Sequence, residues 1–229
     1  MKLENNSKKT PLIGLFGGAY DPIHNGHLMI ANDLIKKLGL DEFIFIPTGI
    51  SVTEKNLTPA KHRLQMINLA LTNKKMKVST FEVEESLDSK KSFTFDTLKY
   101  FFKKNNAINF FIMGSDNFLQ INTWKNWKKL LNYSHIILID RKISKLSLIK
   151  HSEIKELYKQ NVEKDFYKIG TKLKRHGYIY RHCMDYIDIA SSEVRKKIRL
   201  SEDTNKILPE EIRTYITDNN LYKLTGHEI

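Results

Sequence analysis

The spacing of apolar residues in the first fifty positions constrains the fold more than any other feature of the chain. Leu12-Ile13-Gly14-Leu15-Phe16 is a short apolar run closed by two glycines, the pattern of a strand buried on both faces. From His27 to Leu38 the apolar residues fall at Leu28, Ala31, Leu34, Ile35 and Leu38, which is helical spacing, and Gly39 ends it. Phe43-Ile44-Phe45-Ile46-Pro47 then reads as a second buried strand, completing a βαβ unit. The alternation continues with helices over 60–71, 94–104 and 124–131 and strands over 76–83, 108–113 and 135–139. Residues 142–178 are highly charged and weakly periodic, and no element is assigned to them. A last strand is expected over Tyr186–Ala190, then a helix capped by Ser191 or Ser192, then a helix opened by Pro209-Glu210-Glu211. The expected fold is therefore α/β: a doubly wound, Rossmann-like, mostly parallel sheet with helices on both faces. One domain is expected over residues 1–229, with a polar tail at 1–10.

Composition narrows the class without choosing a function. A hydrophobic fraction of 41% is enough to build a core, so disorder is not the default. The N-terminus lacks the apolar stretch of a signal peptide, and no run approaches the ~20 residues of a membrane helix. A single cysteine, Cys183, fits a reducing compartment. A soluble, cytoplasmic protein with no membrane partner is expected. The formal net charge is +12, but the lysines are scattered in pairs such as Lys36-Lys37 and Lys128-Lys129 rather than gathered on one stripe. That distribution suits a solvated surface better than a nucleic-acid interface. Its field would still attract anionic substrates.

Chemistry concentrates after the first strand, in Gly17-Gly18-Ala19-Tyr20-Asp21-Pro22-Ile23-His24-Asn25-Gly26-His27. The two glycines permit a tight turn and a close backbone approach to a ligand. This turn lies beyond the carboxyl end of a strand, where open α/β sheets bind ligands. His24 and His27 share one face of a helix start, with Gly26 leaving space between them. Two imidazoles beside helix N-terminal amides suit phosphate, including charge that builds up during phosphoryl transfer. Either histidine could instead be a structural residue, and the pair with Asp21 could bind a metal. No second His or Cys cluster supports a metal, however, and the G-x-G-x-x-G dinucleotide fingerprint is absent. Near the other end, Ile189-Ala190-Ser191-Ser192-Glu193-Val194-Arg195 offers hydroxyls and first-turn amides as a second anion cradle, with Arg195 one turn in.

His24-Asn25-Gly26-His27 resembles the HxGH signature of the nucleotidylyltransferase superfamily, and the whole GGxxDPxHxGH string resembles nicotinate-nucleotide adenylyltransferases. The segment at Ile189–Arg195 is similar to that family's ISSTxxR motif, with Ser192 for the threonine and Ala190 for the first serine. Arg63-Leu64-Gln65-Met66, Ser92-Phe93-Thr94-Phe95-Asp96-Thr97-Leu98, Phe111–Phe118 with Gly114 and Asp116, Trp124, and Leu208-Pro209 with Tyr215…Tyr222 follow the family's order. The resemblance implies adenylyl transfer from ATP, carried with Mg²⁺, to nicotinate mononucleotide, giving deamido-NAD and pyrophosphate. It implies His24 and His27 as catalytic residues, and Gly17, Gly18, Gly26, Gly114, Asp116, Ser191, Ser192 and Arg195 around ATP. Thr94, Trp124, Lys55 and Arg141 are implied for the mononucleotide; no metal-ligating residue is assigned, and whether any side chain contacts Mg²⁺ is open. The family's P-P-H-K loop is replaced by Gly49-Ile50-Ser51-Val52-Thr53-Glu54-Lys55, so the acceptor preference is open. Nicotinamide mononucleotide or phosphopantetheine remain alternative acceptors, and a basic nucleic-acid-binding protein on the same fold is the alternative of another class. Whether the chain forms a homo-oligomer is also open.

Overall fold

A computed structural model describes residues 9–52, 56–140, 149–171, 174–185 and 189–223, the side chains of 170 and 171 excepted. The first βαβ unit forms as its spacing requires. Strand β1 (Leu12–Gly18) leads into helix α1 (Asn25–Leu38), which ends at Gly39 with φ 65°, and β2 (Glu42–Pro47) returns parallel to β1. Only glycine takes that left-handed angle without strain, so the helix stops there. Helix α2 (Ala60–Ala70) and strand β3 (Met76–Val78) follow. The strand expected over 76–83 is thus cut short, and α3 (Phe81–Leu87) takes up its end. Glu82 and Glu84 fall in that helix's first turn, where acids are favoured.

Helix α4 (Thr94–Lys104) and strand β4 (Ile108–Gly114) lie where their patterns place them, and the short α5 (Ser115–Phe118) extends β4. The helix expected over 124–131 is instead a 3-10 segment at Trp127–Asn132, because Asn126 at φ 52° breaks the chain direction after Trp124. Strand β5 (His135–Asp140) is followed by α6 (Ser152–Asn161), β6 (Val162–Glu163), α7 (Phe166–Thr171) and β7 (Ile179–Cys183). The segment without an assignment therefore holds helices and a strand. Of the strand expected over 186–190, only Ile189 and Ala190 lie within the described residues, and neither is strand. Helix α8 (Ser191–Arg199) and α9 (Glu210–Asp218) close the order.

Among the described residues seven strands make one parallel sheet in the order β3-β2-β1-β4-β5-β7-β6. Alternate residues feed two cores. Leu12, Phe43, Phe45, Phe110 and Ile137 pack under α1, α2, α7, α8 and α9, while Ile13, Leu15, Ile44, Phe111 and Leu138 pack under α4, α5 and α6. The strand order reverses between β1 and β4, and a doubly wound sheet opens a crevice at the carboxyl ends there. Gly17-Gly18 ends β1 and Gly114 ends β4, so both expected ligand turns flank that crevice.

Candidate active site

The turn is built one step later than the glycines suggest. Gly17 and Gly18 are still strand, paired with Ile46 and Pro47, and the chain reverses at Tyr20 (φ 50°) and the cis Asp21–Pro22 bond. Tyr20 is buried, and its hydroxyl donates to the Phe16 carbonyl at 2.6 Å. Its ring packs edge-on against His27, 5.0 Å between centroids. His24 is the N-cap of α1 and its ring stacks on His27 at 3.7 Å. The His24 N–H donates to His27 Nδ1 at 3.3 Å, which leaves the ring proton of His27 on Nε2. Burial holds His24 down to about 4, and it holds His27 well below the usual histidine range, with His24's charge adding to the effect. Both rings are therefore neutral at pH 7. The buried His24 Nδ1 has no hydrogen-bond partner among the described residues.

Helix α8 docks on the same turn. Ser191 Oγ donates to the Pro22 carbonyl at 3.0 Å, and Arg195 Nη1 donates to the Asp21 carbonyl at 2.6 Å. The Asp21 carboxylate lies 3.9 Å from Arg195 and accepts the Thr58 N–H at 3.0 Å and the Tyr222 hydroxyl at 2.6 Å. The two cradles recognised separately in the sequence thus form one assembly. Neither serine caps the helix: Ala190 is the N-cap, and its N–H donates to the Glu193 carboxylate at 3.1 Å. Alanine has no side-chain acceptor for the first-turn amides, so only the reciprocal half of a capping box forms here. The Ser191 hydroxyl is spent on Pro22, and Ser192 is exposed.

On the far side of the crevice, a β-carbon added to Gly114 would meet nothing within 4 Å, and Asp116 is exposed beside it. Thr94 begins α4, and Trp124 is half-buried with its ring edge-on to Phe111 at 6.2 Å. Lys125 joins the two segments, pairing with Asp96 at 2.8 Å and lying over the Phe93 ring at 4.5 Å. A cavity of about 440 Å³ opens there, lined among others by Glu82, Lys91, Phe93, Thr97 and Lys125. The loop after β2 reaches it: the Gly49 N–H donates to Ser92 Oγ at 3.0 Å, and a β-carbon on Gly49 would lie 2.0 Å from the Glu82 carbonyl. Lys55 and Arg141 lie outside the described residues.

Residues 15–197 match the family model described as cytidylyltransferase-like. A probable nicotinate-nucleotide adenylyltransferase of Clostridium novyi is 34% identical over 215 residues, which cover 92% of this chain and 98% of that protein. The chain belongs to the nicotinate-nucleotide adenylyltransferase family. A relative of the same name in Buchnera aphidicola subsp. Schizaphis graminum is 30% identical over 219 residues, covering 93% and 97% of the two chains. The fold is that of the Plasmodium falciparum nicotinic acid mononucleotide adenylyltransferase solved with NaAD, with a TM-score of 0.69 at 23% identity, covering 93% and 97%.

Three members of this adenylyltransferase assembly have contacts that motif reading did not supply. Asp21 joins four segments, Tyr222 reaches it from beyond α9, and Arg63 is buried beneath the turn. Arg63 left a signal in the sequence. It occupies the apolar stripe of α2 with Met66, Ile67 and Ala70, a position where an unpaired charge would not be stable. Tyr222 follows the family's order in the sequence, but its bond to Asp21 left no local trace, since the partner is 201 positions away.

Proposed function

We propose that the chain transfers the adenylyl group of ATP to nicotinate mononucleotide, releasing pyrophosphate and forming deamido-NAD. The observation that carries this reading is the union of two anion cradles on one turn: the histidine pair at the start of α1 and the start of α8 with Arg195. A phosphate oxygen of the mononucleotide, already anionic at pH 7, attacks the α-phosphorus of ATP in line. The new P–O bond forms as the bond to the bridging oxygen breaks, and its electron pair leaves with pyrophosphate. No side-chain nucleophile is required, so the protein's work is positioning and charge stabilisation. The Nε2–H of His27 and the ring of His24 face the reacting phosphate, and Ser192 and Arg195 take the outer phosphates. Gly17, Gly18 and Gly26 keep the backbone close to the ligand, and Gly114 and Asp116 receive adenosine.

Mg²⁺ arrives with the triphosphate. Among the described residues no three of His, Cys, Asp or Glu converge. The ion supplies positive charge against the triphosphate, and we assign it to the substrate. Trp124 gives the pyridine ring a flat face and Thr94 a donor for its carboxylate; Lys55 and Arg141 are assigned to this side from sequence position alone. We place the enzyme in the cytoplasm, where its lone cysteine stays reduced. No helix among the described residues is long and apolar enough to cross a membrane.

The deciding experiment compares acceptors side by side, following pyrophosphate release with nicotinate mononucleotide, nicotinamide mononucleotide and phosphopantetheine. Nicotinate mononucleotide is expected to give the highest kcat/KM. A higher value with either of the others would replace the acceptor. Salt-sensitive RNA binding without pyrophosphate release from any acceptor would replace the reaction.

A further inference from the structure

Arg63 is only 1% exposed and is the largest fully buried side chain among the described residues. A guanidinium taken out of water must have its donors met, and three backbone carbonyls take part in meeting them. Its Nε–H donates to the Thr58 carbonyl, Nη1 to Ala19 and Nη2 to Thr48, each at 2.8 Å. These carbonyls belong to three different segments. Ala19 lies in the turn that carries the histidines, Thr48 is the exit of β2, and Thr58 leads into α2. An apolar side chain could fill the same volume. What the guanidinium adds is a planar fork that fixes three chain segments at set distances and angles.

The exit of β2 continues directly into the acceptor side. Gly49 follows Thr48 and donates to Ser92 Oγ, Ile50 pairs with Lys91, and the Ser92 N–H donates to the Ile50 carbonyl at 3.0 Å. Below them Thr97 Oγ1 donates to the buried Glu82 at 2.7 Å, and the charge of Arg63 acts on that carboxylate. One side chain therefore touches the turn that carries the histidines and the exit of β2, whose continuation reaches the cavity lined by Ser92 and Thr97.

We propose that Arg63 is a positioning residue that holds the ATP turn and the acceptor loop in a single geometry, so that the two substrates meet in line. This rests on the two-substrate reading above. In-line transfer depends steeply on alignment, since a misplacement of about 1 Å costs roughly 10² in rate. A lysine has one ammonium and cannot span three carbonyls set in a fork.

The test uses Arg63→Lys and Arg63→Met, with Ile154→Ala in the opposite core as a destabilised control away from the site. Rates are measured well below each melting temperature, on protein whose circular dichroism is native. Arg63→Lys is expected to lose roughly 10²-fold in kcat/KM toward both ATP and nicotinate mononucleotide, while Ile154→Ala keeps wild-type constants. A folded Arg63→Lys within about twofold of wild type toward both substrates overturns the proposal. If neither Arg63 variant folds, amide hydrogen exchange of the wild-type protein decides. ATP alone should raise protection at Thr48, Gly49 and Ser92, and protection confined to residues 17–27 and 191–195 overturns the coupling. A wild-type protein that makes no deamido-NAD from nicotinate mononucleotide overturns the functional reading instead, and the exchange measurement with ATP still judges Arg63.

Discussion

His24 and His27 are poor cations, and that shapes what they can do for a phosphate. Burial keeps both rings neutral, His24 at about 4 and His27 well below its ordinary value. In the role proposed above they serve a phosphate as hydrogen-bond donors of fixed direction rather than as standing positive charges. The direction of His27 is set by the His24 N–H on its Nδ1 and by the Tyr20 and Phe16 rings around it. Removing one preorganised donor of this kind costs about 10²–10³ in kcat. His27→Ala is expected to lose that much while remaining folded, because its ring contributes to the site more than to either core. Steady-state kinetics beside a melting curve checks this, and near-normal turnover in folded protein would withdraw the assignment.

At the scale of elements, helix α8 is the part whose placement matters most. Its first turn meets the histidine turn through Ser191 and Arg195, although β7, the strand before it in the chain, lies three places from β1 in the sheet. Arg195 is held at the Asp21 carbonyl, with a quarter of its side chain exposed to the crevice. One charge-assisted hydrogen bond to a phosphate is worth about 1.5–3 kcal/mol, or roughly 10–100-fold in affinity. Arg195→Ala should therefore raise the KM for ATP by that factor and leave the acceptor KM near wild type; the reverse pattern would move Arg195 to the acceptor side. The sequence made α8 legible but not what precedes it. Strand β7 reads Ile179-Tyr180-Arg181-His182-Cys183, and its polar residues hide the strand pattern. They are tolerated because Arg181 pairs with the buried Asp140 at 2.9 Å and His182 with Asp33 at 2.6 Å. Satisfaction by distant partners leaves no local trace. The strands that were legible, β1, β2, β4 and β5, are the ones whose burial on both faces demands continuous apolar runs. Likewise the two cradles could be read as motifs, whereas the Asp21 contacts that unite them could not.

The molecule as a whole combines a formal charge of +12 with histidines that fold neutral, and both work against it in acid. His135 is the cleanest case because it lies outside the site. It is fully buried between the Phe110 and Tyr178 rings, accepts the Tyr178 N–H on Nδ1 at 3.0 Å, and donates from Nε2 to the Lys174 carbonyl at 3.2 Å. Desolvation lowers it from 6.5 to about 4. Between those values the unfolded chain binds a proton that the folded protein refuses, so stability rises with pH across this window. The contribution is complete above pH 6.5 and is lost as pH falls through about 4. From pH 7 to pH 5 this one residue should account for about 2 kcal/mol of lost stability. His24 and His27 slope the same way, and each proton adds to an excess of positive charge that already opposes compaction. Urea unfolding at pH 7 and pH 5 tests the assignment in wild type and His135→Gln. The variant is expected to be less stable at pH 7, yet to lose less on acidification, by about 2 kcal/mol. An equal loss in the two proteins would show that the acid sensitivity of the fold comes from elsewhere.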